Sequence, residues 1–228
     1  MMLSAAAITL ERHVVFRLFG VPVTTTVVTT WALVAGLSLA AVLAGRGLRE
    51  RASRWQAVAE WGVTMIRGLI TDMTGEPADL YVPLVATVGL FVLTANLMSV
   101  LPYVEAPTAD LNTPVTLAII VFFSVHYFGA RKFGLWGYVK KFTEPSVLLL
   151  PFNLIGNITR TFSLAIRLFA NMLSHQIVVA VLLLVLPLIV PAVLQVFGLF
   201  IGALQAYIFT ILTVVYIAGA VQAEGEVS

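Results

Sequence analysis

Long stretches without charge decide what this chain can fold into. Val23 to Ala44 is apolar apart from a few hydroxyls, and a helix of about 20 such residues crosses a bilayer. Four more runs cover Leu80 to Leu101, about Pro114 to Ala130, Val147 to about Leu186, and about Ala192 to Gln222. Inside lipid every backbone N–H and C=O must find a partner within the protein, and a helix does this within one segment. The expected fold is therefore an all-α membrane protein with five transmembrane helices. Composition agrees: 60% of the residues are hydrophobic and 11% charged, whereas a soluble domain carries about a quarter charged residues. A soluble globular domain and a disordered chain are both excluded. The chain has no cysteine, which removes disulfides, thiolate chemistry and Cys-ligated metals.

The last two runs are longer than a perpendicular crossing needs, so both are expected to be long and tilted helices. Pro187 and Pro191 separate them and mark a tight turn. Residues 1–19 lack the apolar core and the small-residue cleavage site of a signal peptide. Between the first two runs, Trp55, Val58, Ala59, Val63, Ile66, Ile70 and Met73 recur at helical spacing. This predicts one amphipathic helix, lying on the membrane surface or packed on protein.

Lys and Arg in short loops face the cytoplasm. Arg46, Arg49, Arg51 and Arg54 follow the first run, and Arg131, Lys132, Lys140 and Lys141 follow the third. The segment Pro102–Thr113 has Glu105 and Asp110 but neither Lys nor Arg. The N-terminus is therefore expected outside and the C-terminus inside, with Arg12 and Arg17 as a modest exception. The chain reads as one domain. It divides into 1–19, a first span with the surface helix at 20–78, an outer hairpin of spans at 79–142, and a final hairpin at 143–228.

Of the 13 basic residues, only Arg160 and Arg167 lie well inside an apolar run. An arginine at mid-bilayer costs at least ~3 kcal/mol, so it faces protein or water and by default marks an ion pathway. Arg160 can extend to the interface, and an anchoring role stays open beside a functional one. Arg167 has no such exit. Arg160, Ser163, Arg167, Asn171 and Ser174 follow one another three or four residues apart, and His175 lies four from Asn171, which puts them on one helical face. Asn157 and Asn153 extend the polarity toward one end. On the last run Gln205, Thr210, Thr213 and Tyr216 can line a common side, with Gln205 the candidate to meet Arg167. No Asp or Glu lies in the central part of any run. Arg167 thus lacks an internal counter-ion, and a carboxylate from another chain is expected to supply it.

The stretch Ser163-Leu-Ala-Ile-Arg-Leu-Phe-Ala-Asn-Met172 resembles the signature of the a subunit of the rotary F-type ATP synthase membrane sector. Gln205-Ala-Tyr-Ile-Phe-Thr-Ile-Leu212, followed by Val215-Tyr216, is similar to the same family's last helix. Pro151-Phe-Asn-Leu-Ile155, Asn96-Leu-Met-Ser-Val-Leu-Pro102 and Pro107-Thr-Ala-Asp-Leu-Asn112 fit it as well. The resemblance implies a non-catalytic, cofactor-free subunit of a bacterial inner membrane. Its partners would be a ring of c subunits carrying intramembrane carboxylates, the b subunits of the peripheral stalk and, indirectly, the F1 sector. It would supply two offset half-channels through which H⁺ or Na⁺ reaches and leaves the ring. The family's essential arginine maps onto Arg167, and its asparagine and glutamine onto Asn171 and Gln205. Ser174, His175, Gln176, Tyr216, Arg160 and Asn157 are the remaining candidates for the ion pathway.

Two positions depart from the family's pattern. Gln176 and Gly198 stand where relatives often carry Glu or His, so two titratable positions are lost. His175 can stand in for either, or simply hydrogen-bond near the outer surface. These departures are similar to an alternative bacterial branch, the N-ATPases, proposed to pump Na⁺.

Other chemistry has no carrier. Three histidines, His13, His126 and His175, show no metal-ligand spacing, and His126 reads as a packing or interface residue. No HExxH, G-x-S-x-G or P-loop is present. No basic stripe interleaved with aromatics suggests a nucleic acid. A secondary transporter would call for a broken helix and often an inverted repeat, and the sequence has neither. A purely structural membrane protein would leave Arg167 and its polar stripe unexplained.

Overall fold

A computed structural model of the chain describes residues 14–18, 21–46, 54–100, 106–143, 148, 150–185 and 189–222. Six helices dominate: α1 (Thr25–Arg46), α2 (Arg54–Thr74), α3 (Val82–Leu97), α4 (Asn112–Thr143), α5 (Leu150–Val185) and α6 (Ile189–Val221). Four of them, α1, α4, α5 and α6, are long and apolar enough to cross a membrane, and α3 is a shorter apolar helix. Short 3₁₀ turns lie at Ala78–Leu80, Met98–Val100 and Pro107–Ala109. Glu105, Pro187, Arg49, Arg51 and His13 lie outside the described residues.

The helices form where the apolar runs predicted them, with differences at the edges. The first run becomes α1, where Thr29 and Thr30 donate their hydroxyls to the Thr26 carbonyl at 2.9 and 2.7 Å. Such back-bonding satisfies a hydroxyl inside an apolar segment. The second run is helical only over Val82–Leu97 and finishes as a 3₁₀ turn. The third does not stop at Ala130. Helix continues to Thr143 past a break at Gly134, where φ is +73°, so Arg131, Lys132 and Lys140 are helical rather than loop residues. Pro191, expected in a turn, lies inside α6. The all-α expectation also missed a short antiparallel pair, β1 (Val14–Leu18) with β2 (Val21–Thr24). Five residues of one strand carry too little periodicity to announce it.

Contacts within the chain divide it into two compact units. The first takes its described residues from Met1–Gly47, Leu90–Thr113 and Leu168–Tyr207. Its core includes Phe91, Val92, Ala95, Leu168, Met172 and Ala206. The end of α3 is held in it by Asn96, which is fully buried. Its Nδ2 donates to the Gly202 carbonyl at 3.0 Å, and its Oδ1 accepts from the Thr108 hydroxyl at 2.9 Å. A buried amide is tolerated only when its hydrogen bonds are made. Asn96→Leu keeps the volume but strands the buried Thr108 hydroxyl, so the expected loss is about 1–3 kcal/mol. Thermal unfolding in mild detergent would register it.

The second unit takes Leu48–Gly89, Pro114–Arg167 and Ile208–Ser228. Its core brings together Ile70, Tyr81, Val85, Phe128, Val214 and Ile217. The apolar face predicted for α2 is thus split. Ile70, with Ile66 and Met73 beside it, packs on protein, whereas Val58 and Val63 stay exposed. Gly75, at φ +68°, ends α2 with its N–H on the Thr71 carbonyl at 2.9 Å, a left-handed cap that glycine adopts without strain. Just beyond it, Glu76 forms an ion pair with Lys132 of α4 and accepts from the Tyr81 hydroxyl at 2.8 Å. The Lys132 ammonium holds the Glu76 carboxyl below its usual value. A carboxyl lowered in the folded state stabilises the fold above its unfolded pKa of 4.5, and that contribution fades as pH falls through the folded value. Glu76→Gln is expected to cost about 1 kcal/mol at neutral pH. Melting curves of the variant and the wild type should draw together as pH falls below the unfolded carboxyl value of 4.5.

Candidate functional site

Helix α5 carries the polar stripe as the spacing required. Arg160, Ser163, Arg167, Asn171 and Ser174 are exposed on the chain, and His175 and Gln176 are half-buried. The stripe borders the buried ridge formed by Leu164, Leu168 and Met172. The ridge explains why the helix packs, but it does not explain a row of polar groups along a helix long enough to span a membrane. Among the described residues Arg167 makes no hydrogen bond and no ion pair. Its seven-residue separation from Arg160 amounts to about 10 Å of helix.

Two polar clusters lie on this helix, one in each unit. In the first, Asn171 Nδ2 donates to Gln205 Oε1 of α6 at 2.7 Å. Gln205 is only 2% exposed, and its Nε2 has no partner among the described residues. An amide buried this deeply with its NH₂ unmet is a costly arrangement, and such groups accompany functional sites and unplaced waters. A turn further along α5 the His175 ring lies against Gly198 of α6. A Cβ at Gly198 would overlap the imidazole. The absence of a side chain at 198 is therefore what makes room for the histidine at 175.

In the second unit, Asn153, Asn157 and Arg160 of α5 and Tyr216 of α6 line a cavity of about 270 Å³ with His126 and Tyr138 of α4. Among the described residues Arg160 is the fixed charge on this wall, and no carboxylate lines it. The break at Gly134 shapes the cavity, because it turns the chain so that the Tyr138 ring lies on Gly129, where a Cβ would overlap it. His126 Nδ1 lies 2.7 Å from the Phe122 carbonyl, so that nitrogen carries the proton and donates. The histidine read as a packing residue is thus also a wall of this cavity.

Sequence reasoning named both Asn171 and Gln205 as candidates but did not pair them, having assigned Gln205 to Arg167, whereas the structure joins them by a hydrogen bond. It put Thr213 on a common side of the last run with Gln205 and Tyr216. Thr213 is fully buried and donates to the Phe209 carbonyl of its own helix at 2.9 Å. It gave no role to Asn96, although an asparagine inside an apolar run was a signal of the same kind as Asn171. No group of three or more His, Cys, Asp or Glu that could hold a metal occurs among the described residues.

These features define a multi-pass helical membrane protein with polar and cationic groups set into its spanning helices. The profile of the family described as ATP synthase A chain matches residues 25–218. The protein named ATP synthase subunit a 2 of Pelobacter propionicus is 47% identical over 207 residues, covering 91% of each chain. Its namesake in Bradyrhizobium sp. is 43% identical over 212 residues, covering 93% of this chain and 95% of that one. ATP synthase subunit a 1 of Chlorobaculum parvum is 45% identical over 197 residues, covering 86% and 87%. The chain belongs to the ATP synthase A chain family: it is a non-catalytic, ion-translocating subunit of the Fo membrane sector.

Proposed function

We propose that Arg167 is the charge at which this subunit exchanges ions with intramembrane carboxylates of a rotating ring of c subunits. The observation that carries the reading is a permanent cation on the exposed face of a spanning-length helix, with no ion pair among the described residues. A charge in that setting calls for an acid from another chain. An opposite charge within about 4–6 Å lowers a carboxyl's pKa, so a ring carboxylate arriving at Arg167 gives up its ion. The same cation repels ions that would leak past. Arginine suits the position because it does not lose its proton in a protein.

In this reading the two polar clusters are the two half-channels. Asn171, Ser174, His175, Gln176 and Gln205 conduct from the outer side. Asn157, Arg160 and Tyr216, around their cavity, lead to the cytoplasm, toward which the basic residues of α4 point by the positive-inside rule. Five crossings, with α3 as the second and α2 at the interface, put the N-terminus outside and the C-terminus inside. Long tilted α5 and α6 face the ring, and the b subunits of the peripheral stalk and the F1 sector complete the assembly in a bacterial inner membrane. The neutral Gln176 and Gly198 favour the Na⁺-pumping branch, with the ring's own site selecting the ion.

Gentle extraction of the tagged chain followed by mass spectrometry tests the partner directly. A ring of small two-helix subunits with a mid-membrane Glu or Asp is expected to come with it. A chain that emerges alone or as a homodimer would overturn the proposal. His175 gives a finer test. His175→Ala should slow transport severalfold, most visibly across about pH 5–8, where histidine changes charge. A pH profile with the wild-type shape would remove His175 from the pathway.

A further inference from the structure

The first arm of α4, residues 112–133, is long enough to cross the membrane by itself. At 1.5 Å per residue it measures about 33 Å, against roughly 30 Å of hydrocarbon in a bilayer. The break at Gly134 therefore falls at the membrane boundary, beside exposed Arg131, a charge that keeps to the edge of the hydrocarbon. Beyond the break the chain turns back. The Tyr138 ring lies on Gly129, although an unbroken helix would hold those two positions about 13 Å apart along its axis. The second arm, residues 135–143, thus does not run on into water but stays near the level of the break. The same contact fixes which face of this arm looks outward. Tyr138 is buried against the first arm, whereas Trp136 is 89% exposed, Leu135 is 76% exposed and Val139 is exposed as well. Leu135 and Val139 are four residues apart and Trp136 adjoins Leu135, so the three share one half of the helix. Gly137, also exposed, falls on the opposite half.

Where this apolar face lies decides what meets it. It starts at the level where the hydrocarbon ends. Leu135 and Val139 adjoin Phe123 and Tyr127, which are exposed on the spanning arm, so the face continues a surface already in lipid. It also carries a tryptophan, and aromatic belts lie in the headgroup layer. A helix with one apolar face at this level buries that face about 5–10 Å into the boundary between headgroups and acyl chains. We infer that the second arm of α4 lies along the membrane surface with Leu135, Trp136 and Val139 inserted in lipid. The arm thereby sets the depth at which the Gly134 end of α4 stands. This holds whichever residues conduct the ion, because it requires only that the first arm spans.

The test uses the assembled membrane sector in phosphatidylethanolamine–phosphatidylglycerol nanodiscs. A nitroxide is attached to a single cysteine at Leu135, Trp136, Val139 or Gly137, and the assembly with the cysteine-free chain gives the background. A Cβ at Gly137 meets only the Phe133 Cβ, at 3.4 Å, so this control fits the fold. Collisions with oxygen, which gathers in lipid, and with a nickel chelate, which stays in water, are read by electron paramagnetic resonance. For a face about 5–10 Å into the boundary, the oxygen-to-nickel ratio at 135, 136 and 139 should exceed that at 137 by at least about threefold. L135E/W136E should lower the ratio at 139 to the value at 137, and L135F/W136Y should retain it. Nickel-dominated collisions at 135, 136 and 139 would overturn the inference by placing the arm in water. Shielding from both reagents would overturn it by placing another subunit on this face, and a ratio at 139 that survives L135E/W136E would do so as well.

Discussion

Arg167→Ala is expected to abolish coupled ion transport while leaving the assembly intact. In the proposed mechanism the effect on transport is large, because the arginine acts on the affinity of the carrier. A cation close to a carboxylate lowers its pKa by about 1–3 units, and removing it slows ion release by roughly 10- to 1,000-fold. The barrier between the half-channels goes with it, so passive leak should rise as coupling falls. Assembly survives because Arg167 is exposed on the isolated chain and supports no packing in it, and because deleting an arginine from a spanning helix makes insertion easier. Arg167→Lys should retain part of the function, since an ammonium can lose its proton in an apolar setting. Proton- or sodium-uptake assays on inverted vesicles, with immunoblots for the assembled sector, measure both outcomes. Coupled synthesis at the wild-type rate in Arg167→Ala would end the account.

Gly198→Ala is expected to have the next largest effect. One added methyl would overlap the His175 ring, and overpacking of this kind costs about 1–3 kcal/mol. The imidazole must leave its position or α5 and α6 must part, and either disturbs the polar cluster around Asn171 and Gln205. The double variant Gly198→Ala with His175→Gly removes the clash and should regain most of the stability lost by the single variant. Residues in contact show coupling of about 0.5–3 kcal/mol in such a cycle. Thermal resistance of the detergent-solubilised sector supplies the four values. Additive losses would show that the two positions do not share one space.

The spacing of apolar and polar residues carried much of this picture, and what it missed has physical causes. Helices α1, α5 and α6 lie within a few residues of their predicted limits, because a predominantly apolar run of about 20 residues or more leaves the backbone few alternatives in a membrane. The stripe on α5 was legible because a helix puts residues three and four apart on one face. Contacts between distant segments were not legible. The Asn171–Gln205 pair spans 34 positions and Asn96–Gly202 spans 106, and no local pattern encodes either. Gly134 could be read as an ordinary glycine in a basic loop. Its positive φ turns the helix in a new direction and brings the Tyr138 ring onto Gly129, a contact no local pattern announces. The fit of His175 to Gly198 was present in the sequence only as two apparent departures from a pattern. In the structure they are one arrangement, with the bare glycine accommodating the ring.

The central claim is that the face of α5 carrying Arg167 meets an acid-bearing partner inside the membrane. The chain has no cysteine, so single cysteines can be placed without background. Ser163→Cys and Asn171→Cys stand one turn to either side of Arg167 on the exposed stripe, and Phe162→Cys lies exposed on another side of the same helix. Each is combined with a cysteine next to the mid-membrane carboxylate expected in the small copurifying subunit, and disulfide formation is followed under oxidant. The account predicts cross-links from 163 and 171 and none from 162. Cross-linking from 162 alone would contradict it, because Arg167 would then face away from the only carboxylate that could answer its charge.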